Sequence, residues 1–253
     1  MEYLNPKEII ASQKSIKEKL SKFVGPTIRH KSGIKFFSKY VDIFLVQKNY
    51  LKKEDIKVLD CGVAGGGFAK DLYEAGYKNI YGVDIDDYLS PDNRPLITEF
   101  KTADLSFDKI PWPDVSFDVI TAWCVLPHLE NPHNFVREAY RVLETNGLYI
   151  FSIVNITSWP NRKYFLTHKE FPSYHASNNH ITLFTPAILK KTILKYFDLV
   201  GTEYFITPRI FFGFRGNIRK YLLSISYFLN NSLGESLRAR WGAKIVYILK
   251  KKD

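Results

Sequence analysis

An apolar strand that runs into a glycine-rich turn constrains this chain more than any other feature. The segment is VLDCGVAGGG, residues 58–67, and a stretch of helical length follows it at 68–75. Glycine lets the backbone turn sharply and approach a ligand without a Cβ in the way, and the start of a helix offers free N–H groups. The segment therefore predicts a nucleotide-like cofactor site. Taken alone, Gly62-x-Ala64-x-x-Gly67 also fits a dinucleotide fingerprint loosely.

Short apolar runs alternate with amphipathic stretches of helical length over residues 56–154, which is typical of a parallel sheet with crossover helices. The pair Thr185-Pro186 favours the start of a further helix, whose apolar face is expected to reach Phe197. The chain then ends in strand, insertion and strand, which favours a closing antiparallel hairpin. The expected strands are 56–60, 79–84, 97–101, 117–123, 147–154, 199–205 and 243–249, with helices at 68–75 and 133–143.

The domain organisation follows from these elements and from the length. With 253 residues the chain can form one large domain with its own core, or two small ones. We predict one doubly wound α/β domain over 56–253, preceded by an N-terminal helical cap over 1–55. Two insertions, 155–184 and 208–240, are expected to form a lid.

Three carboxylates follow successive predicted strands. Asp60 ends the first strand, where it would repel a pyrophosphate but would suit a ligand that carries an ammonium and a sulfonium. Asp84 ends the second, where it can accept hydrogen bonds from both ribose hydroxyls. Asp104 follows the third, where it can accept from an adenine amino group. Each could also be a helix cap or a solvated turn residue, and it is their order that favours a binding role.

The segments that carry these residues resemble a known family. The runs are DCGVAGG, GVDID, ADLSFDKIPWPDVSFDVI, VLPHLENP and REAYRVLETNGLYIFSIVN, with a weaker similarity at 178–193. They are similar to class I, Rossmann-like S-adenosylmethionine-dependent methyltransferases, of the type that modify quinone precursors, sugars and similar metabolites. The resemblance covers residues 56–155. It implies a seven-stranded sheet of order 3-2-1-4-5-7-6 whose last strand is antiparallel.

The resemblance also implies S-adenosylmethionine as the cofactor and a set of residues that bind it. The methionine part is assigned Asp60, Gly62, Ala64, Gly66 and Ala122, the ribose is assigned Asp84 with the adjacent Ile85, and the adenine is assigned Asp104 and Leu105. Two positions depart from the family pattern, since Ala64 replaces the usual middle glycine and Cys124 stands where many relatives carry glutamate. A catalytically idle relative that binds the cofactor therefore remains an alternative.

Two histidines are candidates for the acceptor side. An oxygen acceptor must lose its proton, and histidine is suited to take it at neutral pH. His128 follows a central strand, at the edge of the sheet where ligands bind, and His180 lies in the lid at a position where relatives often have histidine. The alternative for both is a structural role that holds the lid and loop together. No spacing of residues indicates a metal site.

The charge is unevenly distributed. Residues 58–154 carry 7 Lys and Arg against 15 Asp and Glu, whereas residues 155–253 carry 16 against 5. A basic flank suits an anionic acceptor, a membrane surface or nucleic acid, or simply keeps the protein soluble. We hypothesise that the basic insertion 208–240, where an amphipathic helix is predicted near 217–229, lies beside the substrate mouth. There it would handle an anionic or lipid-linked acceptor, with peripheral membrane contact. An ordinary packed helix or a dimer contact is the alternative.

The sequence thus predicts an S-adenosylmethionine-dependent methyltransferase that acts on a small-molecule or glycan acceptor, with a hydroxyl oxygen as the expected methylated atom. The stretch AWCVLP after the fourth strand (122–127) lacks the Asp/Asn-Pro-Pro-aromatic element of enzymes that methylate base nitrogens, which disfavours nucleic acid. A NAD-dependent oxidoreductase is the alternative from another class. The expected compartment is the cytoplasm, because there is no signal-like or membrane-spanning segment and only two cysteines.

Overall fold

The computed structural model describes residues 28–50, 52–175, 178–205 and 234–253. The N-terminal part of the expected cap and the amphipathic helix predicted near 217–229 lie outside the described residues. Within those ranges, no helix is both long enough and apolar enough to cross a membrane.

The strands form a single seven-stranded sheet of order β3-β2-β1-β4-β5-β7-β6. The first five strands run parallel to one another, and β7 is antiparallel to both of its neighbours. The predicted strand order and the antiparallel last strand are therefore confirmed. The strands are β1 (Lys57–Cys61), β2 (Asn79–Asp84), β3 (Glu99–Thr102), β4 (Phe117–Trp123), β5 (Leu143–Val154), β6 (Phe197–Phe205) and β7 (Lys244–Lys251).

Helices cover both faces of the sheet, as expected for strands that are apolar on both sides. The helices of the described residues are α1 (Ile28–Gln47), α2 (Gly67–Glu74), α3 (Pro132–Val142), α4 (Trp159–His168), α5 (Pro186–Lys191) and α6 (Glu235–Trp241). On one face Phe37 of α1 and Leu72 of α2 are fully buried. On the other face Phe135 of α3 and Leu189 of α5 belong to a separate cluster of buried apolar residues. Burying each such side chain contributes about 1.5–3 kcal/mol.

The topology brings several chain segments to one edge of the sheet, which we call the carboxyl edge. The parallel strands β1, β4 and β5 all end there. Since β7 is antiparallel to β5, its first residue, Lys244, lies opposite the last residue of β5, Val154. Ligands of open α/β sheets bind at this edge.

The helix predicted to run from Pro186 to Phe197 is shorter than expected. Helix α5 ends at Lys191, a short 3-10 turn follows at Ile193–Lys195, and Phe197 begins β6. The hydroxyl of Thr192 donates to the carbonyl of Ile188 at 2.7 Å, and such a side-chain bond competes with regular helix. The prediction failed because Phe197 has the right spacing for the helix face but is buried as a strand residue.

The strand β5 begins earlier than its apolar pattern indicated. Leu143 was expected at the end of a helix, but it starts β5 and pairs with Phe117. The polar residues that follow form an irregular stretch in which Asn146 has φ +62°. A Cβ on the next residue, Gly147, would lie 2.9 Å from the carbonyl oxygen of Asp118. Because the residues of this stretch are polar, the apolar pattern did not indicate that the strand begins here.

Candidate functional site

The glycine-rich turn occupies the space between β1 and α2. Three alternate residues have left-handed backbone conformations, with φ +72° at Gly62, +48° at Ala64 and +79° at Gly66. A Cβ on Gly62 would lie 2.5 Å from a methyl carbon of Val125, and a Cβ on Gly66 would lie 2.8 Å from Asn93. Glycine is therefore required at both positions by conformation and by space. Ala64 adopts the same conformation at a cost of roughly 1–2 kcal/mol.

Asp84 joins the end of β2 to this turn. Its Oδ2 accepts a hydrogen bond from the backbone N–H of Ala64 at 2.8 Å, and its Oδ1 accepts from the backbone N–H of Ile85 at 2.8 Å. Burial raises the pKa of the carboxyl, and these two backbone bonds oppose that rise. Each carboxylate oxygen can accept a further bond. The structure thus places Asp84 beside the glycine turn, where it can bind hydroxyls of a ligand.

Asp60 lies at the carboxyl end of β1 and is almost completely buried. The hydroxyl of Thr121, opposite it on β4, donates to its Oδ1 at 2.7 Å. Burial raises the pKa of Asp60 to about 7, the bond from Thr121 opposes that rise, and the negative charge of Asp84 adds to it. A ligand with a positive charge would favour the ionised form of this carboxylate.

Asp104 takes part in a turn that follows β3. Its Oδ1 accepts from the backbone N–H of Ser106 at 2.8 Å, and its own N–H donates to Oδ2 of Asp108 at 2.9 Å. The neighbouring Leu105 is buried in the core. The turn-capping role that sequence analysis left open is therefore present, and binding of an adenine amino group by Asp104 stays a prediction.

Ala122 lies on β4, between Cys61 of β1 and Phe151 of β5. Its side chain is fully buried. The fold therefore brings Asp60, Ala122 and the glycine turn to the same edge of neighbouring strands, as predicted. Contact of Ala122 with a ligand stays a prediction.

The lid packs on the loop that follows β4. Backbone N–H groups of Ile181 and Thr182 donate to the carbonyl of Pro127 at 2.8 and 3.0 Å. Nδ1 of His128 lies 3.1 Å from the carbonyl oxygen of Asn179, and the rings of His128 and His180 meet edge to face with their centroids 4.5 Å apart. The two predicted histidines thus form one cluster.

Tyr174 extends this cluster toward β4. Its ring centroid is 5.2 Å from that of His180. Burial raises the pKa of Tyr174 to about 12, and the nearby Cys124 adds to the rise. Tyr174 therefore carries a neutral hydroxyl at physiological pH.

Cys124 and Lys244 form a polar pair that the sequence did not reveal. Cys124 directly follows β4 with φ +60°, and the ammonium group of Lys244 donates a hydrogen bond to its sulfur. The sulfur also lies 3.3 Å from the hydroxyl of Ser152 on β5. Because the first residue of an antiparallel strand lies at the carboxyl edge, the strand order could have indicated Lys244, but its partner could not have been predicted.

Comparisons with known proteins agree with this architecture. Residues 59–151 match the family model of the methyltransferase domain. A Mycobacterium tuberculosis protein named as a probable S-adenosylmethionine-dependent methyltransferase is 33% identical over 106 residues, which are 42% of this chain and 38% of that protein. A ubiquinone biosynthesis O-methyltransferase of Neisseria meningitidis is 27% identical over 105 residues, which are 39% of this chain and 44% of that protein. The chain thus spans less than half of these relatives.

The fold is also shared with solved structures. An S-adenosylmethionine-dependent methyltransferase from Archaeoglobus fulgidus aligns with a TM-score of 0.51 at 20% identity, over 84% of this chain and 94% of that one. At this identity the likeness shows the fold alone.

Proposed function

We propose that this chain methylates a hydroxyl oxygen of a small-molecule or glycan acceptor. The premise is that residues 59–151 are a class I, Rossmann-like methyltransferase domain that uses S-adenosylmethionine. The observation that carries the proposal is the arrangement at the carboxyl edge. Two carboxylates and a glycine turn gather at the ends of β1 and β2, and a histidine cluster lies beyond the end of β4.

The residues at the glycine turn fit the cofactor. Bound S-adenosylmethionine supplies a methyl group on a positively charged sulfonium. The buried Asp60 suits that positive charge and would disfavour the pyrophosphate of a dinucleotide. Asp84 can accept from ribose hydroxyls with oxygens that the backbone already orients. Gly62 and Gly66 keep the turn free of Cβ atoms.

His128 fits the role of general base for an oxygen acceptor. A carbonyl oxygen can only accept a hydrogen bond, so the contact with Asn179 requires Nδ1 of His128 to carry the proton. In the neutral ring Nε2 then holds the lone pair, which is the group that takes a proton from a hydroxyl. His180 packs edge to face on this ring and limits its orientation.

Calorimetric titration with S-adenosylmethionine and, separately, with NAD tests the cofactor part. We expect binding of S-adenosylmethionine alone, weakened at least tenfold by Asp84→Ala, because the variant loses the hydrogen bonds that the carboxylate would accept from the ribose hydroxyls, and a hydrogen bond to a charged group contributes about 1.5–3 kcal/mol. Asp92→Ala, which removes an exposed carboxylate, is the matched control and should bind normally. Clear binding of NAD instead would favour the oxidoreductase alternative.

A screen of hydroxyl acceptors, followed by turnover measurements, tests the acceptor part. His128→Gln should lower kcat by roughly 10²–10⁴-fold while leaving the affinity for the cofactor unchanged. His133→Gln, which alters an exposed histidine of α3, is the control. Undiminished turnover of His128→Gln would assign this histidine to holding the lid. Cofactor binding without turnover on any acceptor would favour an idle relative.

A further inference from the structure

The helix α4 of the lid exposes large apolar side chains that a packed helix would bury. Asn161 is the buried residue of α4, whereas Trp159 is 53%, Phe165 41% and Leu166 71% exposed. The neighbouring α6 exposes Leu237 and Trp241, each at 44%. Groups of exposed large apolar side chains on neighbouring elements are typical of interaction sites.

Buried amides hold the two helices side by side at the carboxyl edge. Asn155, just past the end of β5, donates from Nδ2 to the carbonyls of Ala239 and Gly242 at 2.8 and 2.9 Å. Asn161 of α4 donates to the carbonyl of Asn155 at 2.6 Å. Both helices are thus fixed to one residue, and we group their exposed side chains. We call this group the outer lid surface; it consists of Trp159, Arg162, Lys163, Phe165, Leu166, Lys169, Leu237, Arg240 and Trp241.

The charge on this surface has one sign over α4. The segment 159–169, WPNRKYFLTHK, contains three basic residues and no acidic one, and Arg162, Lys163 and Lys169 are all exposed. On α6, Arg238 is paired with the buried Glu203 at 3.4 Å, so Arg240 is the arginine that adds charge to the surface. Exposed tryptophan, leucine and basic side chains are interspersed on this surface, so apolar contact and attraction to anionic groups can act together there.

The outer lid surface is continuous with the histidine cluster. Ring centroids lie 4.8 Å apart between Phe165 and Phe171, 6.5 Å between Phe171 and Tyr174, and 5.2 Å between Tyr174 and His180. Aromatic side chains therefore lead from the exposed helix to the residue that packs on His128.

We propose that the outer lid surface docks on an anionic lipid bilayer and that the acceptor is a lipophilic hydroxyl compound drawn from that bilayer. The statement about the acceptor rests on the proposed function, whereas the docking does not. Charge complementarity favours the bilayer, because an anionic surface attracts each basic residue that lies near it. A second copy of the chain is disfavoured, because a symmetric contact would set these basic residues against themselves.

Co-sedimentation of the full chain with vesicles tests the docking. We expect binding to vesicles of phosphatidylcholine mixed with phosphatidylglycerol, weaker binding to phosphatidylcholine alone, and release by added salt. Leu166→Asp and the pair Arg162→Glu/Lys163→Glu should each weaken binding at least tenfold, since both alter exposed positions that do not support the fold. Val46→Asp is the matched control: Val46 is 77% exposed on α1, near the opposite edge of the sheet, and its substitution should change nothing.

Two results would overturn the docking: no binding to the anionic vesicles, or binding that survives both lid variants. A dimer in size-exclusion chromatography that Leu166→Asp dissociates would overturn it too, by assigning the surface to self-association. Calorimetry with S-adenosylmethionine separates this proposal from the proposed function, because the lid variants should bind the cofactor normally. If the vesicle-bound protein methylates water-soluble hydroxyl compounds but no lipophilic one, the docking stands and the acceptor class is wrong.

Discussion

The hydroxyl of Thr121 donates a hydrogen bond of 2.7 Å to Oδ1 of Asp60, across the neighbouring strands β4 and β1. Both side chains are buried. This bond fixes the carboxylate beside the glycine turn, while burial brings its pKa to about 7. The charge at the proposed methionine site of the cofactor therefore changes within the neutral pH range.

The affinity for S-adenosylmethionine should consequently depend on pH. A positively charged ligand favours ionised Asp60, so below pH 7 binding must displace a proton and becomes weaker. We expect the affinity to rise about tenfold from pH 6 to pH 8 and to level off above that range. Calorimetry across these pH values measures the effect. Asp60→Asn should bind weakly at every pH and lose the dependence; an unchanged slope in this variant would place the titrating group elsewhere.

The same carboxylate should make the ligand-free protein less stable as the pH rises. The pKa of Asp60 is higher in the folded protein than its usual value of 3.8, so the folded state holds the proton more tightly than the unfolded state. Stability is then lost progressively as the pH rises from about 4 through about 7. Asp60→Asn should therefore raise the melting temperature more at pH 8 than at pH 5. An equal effect at both pH values would contradict a raised pKa.

Two glycines of the turn should respond differently to alanine. Gly62 has φ +72°, and its added Cβ would lie 2.5 Å from Val125, whereas the nearest atom to an added Cβ on Gly65 is 3.9 Å away. Gly62→Ala should lower the free energy of unfolding by more than about 1 kcal/mol, and Gly65→Ala should not lower it measurably. Urea unfolding compares the two. The double variant Gly62→Ala/Val125→Ala should regain the free energy of unfolding that the clash with Val125 costs. The loss that comes from the left-handed backbone conformation should remain.

The sheet and the cofactor edge could be predicted from the sequence because both depend on local patterns. The apolar runs of β1, β2 and β4 lie in the middle of the sheet. Asp84 is the last residue of β2, and Asp60 is the last but one of β1. The two predictions that were wrong also relied on local patterns. Phe197 and Leu143 have helical spacing, but tertiary pairing with Lys251 and Phe117 makes each the first residue of a strand.

The acceptor side could be predicted only in part, since it depends on residues distant in the chain. His128 and His180 are separately visible in the sequence, but their 4.5 Å contact requires the lid to fold back on the loop after β4. The pair of Cys124 and Lys244 joins residues 120 positions apart. No spacing rule relates such residues, so only the packing of the sheet shows that they meet.

The pair of Cys124 and Lys244 should control thiol reactivity at the acceptor side. An adjacent ammonium favours the thiolate, which is the reactive form, and Cys124 is partly exposed while Cys61 is fully buried. Burial and the charges of Asp60 and Asp84 raise the pKa of Cys61 well above its usual value. Iodoacetamide should therefore modify Cys124 and spare Cys61, as peptide mass spectrometry would show.

The role of the lysine is tested by Lys244→Met, which should slow alkylation of Cys124 several-fold at neutral pH. The control is Lys250→Met, which alters an exposed lysine of the same strand and should leave the rate unchanged. Because Cys124 lies beyond the end of β4 and next to the lid, its alkylation should block methyl transfer and preserve binding of S-adenosylmethionine. Equal modification of the two cysteines, or a rate that Lys244→Met does not alter, would show that the ammonium does not activate this thiol.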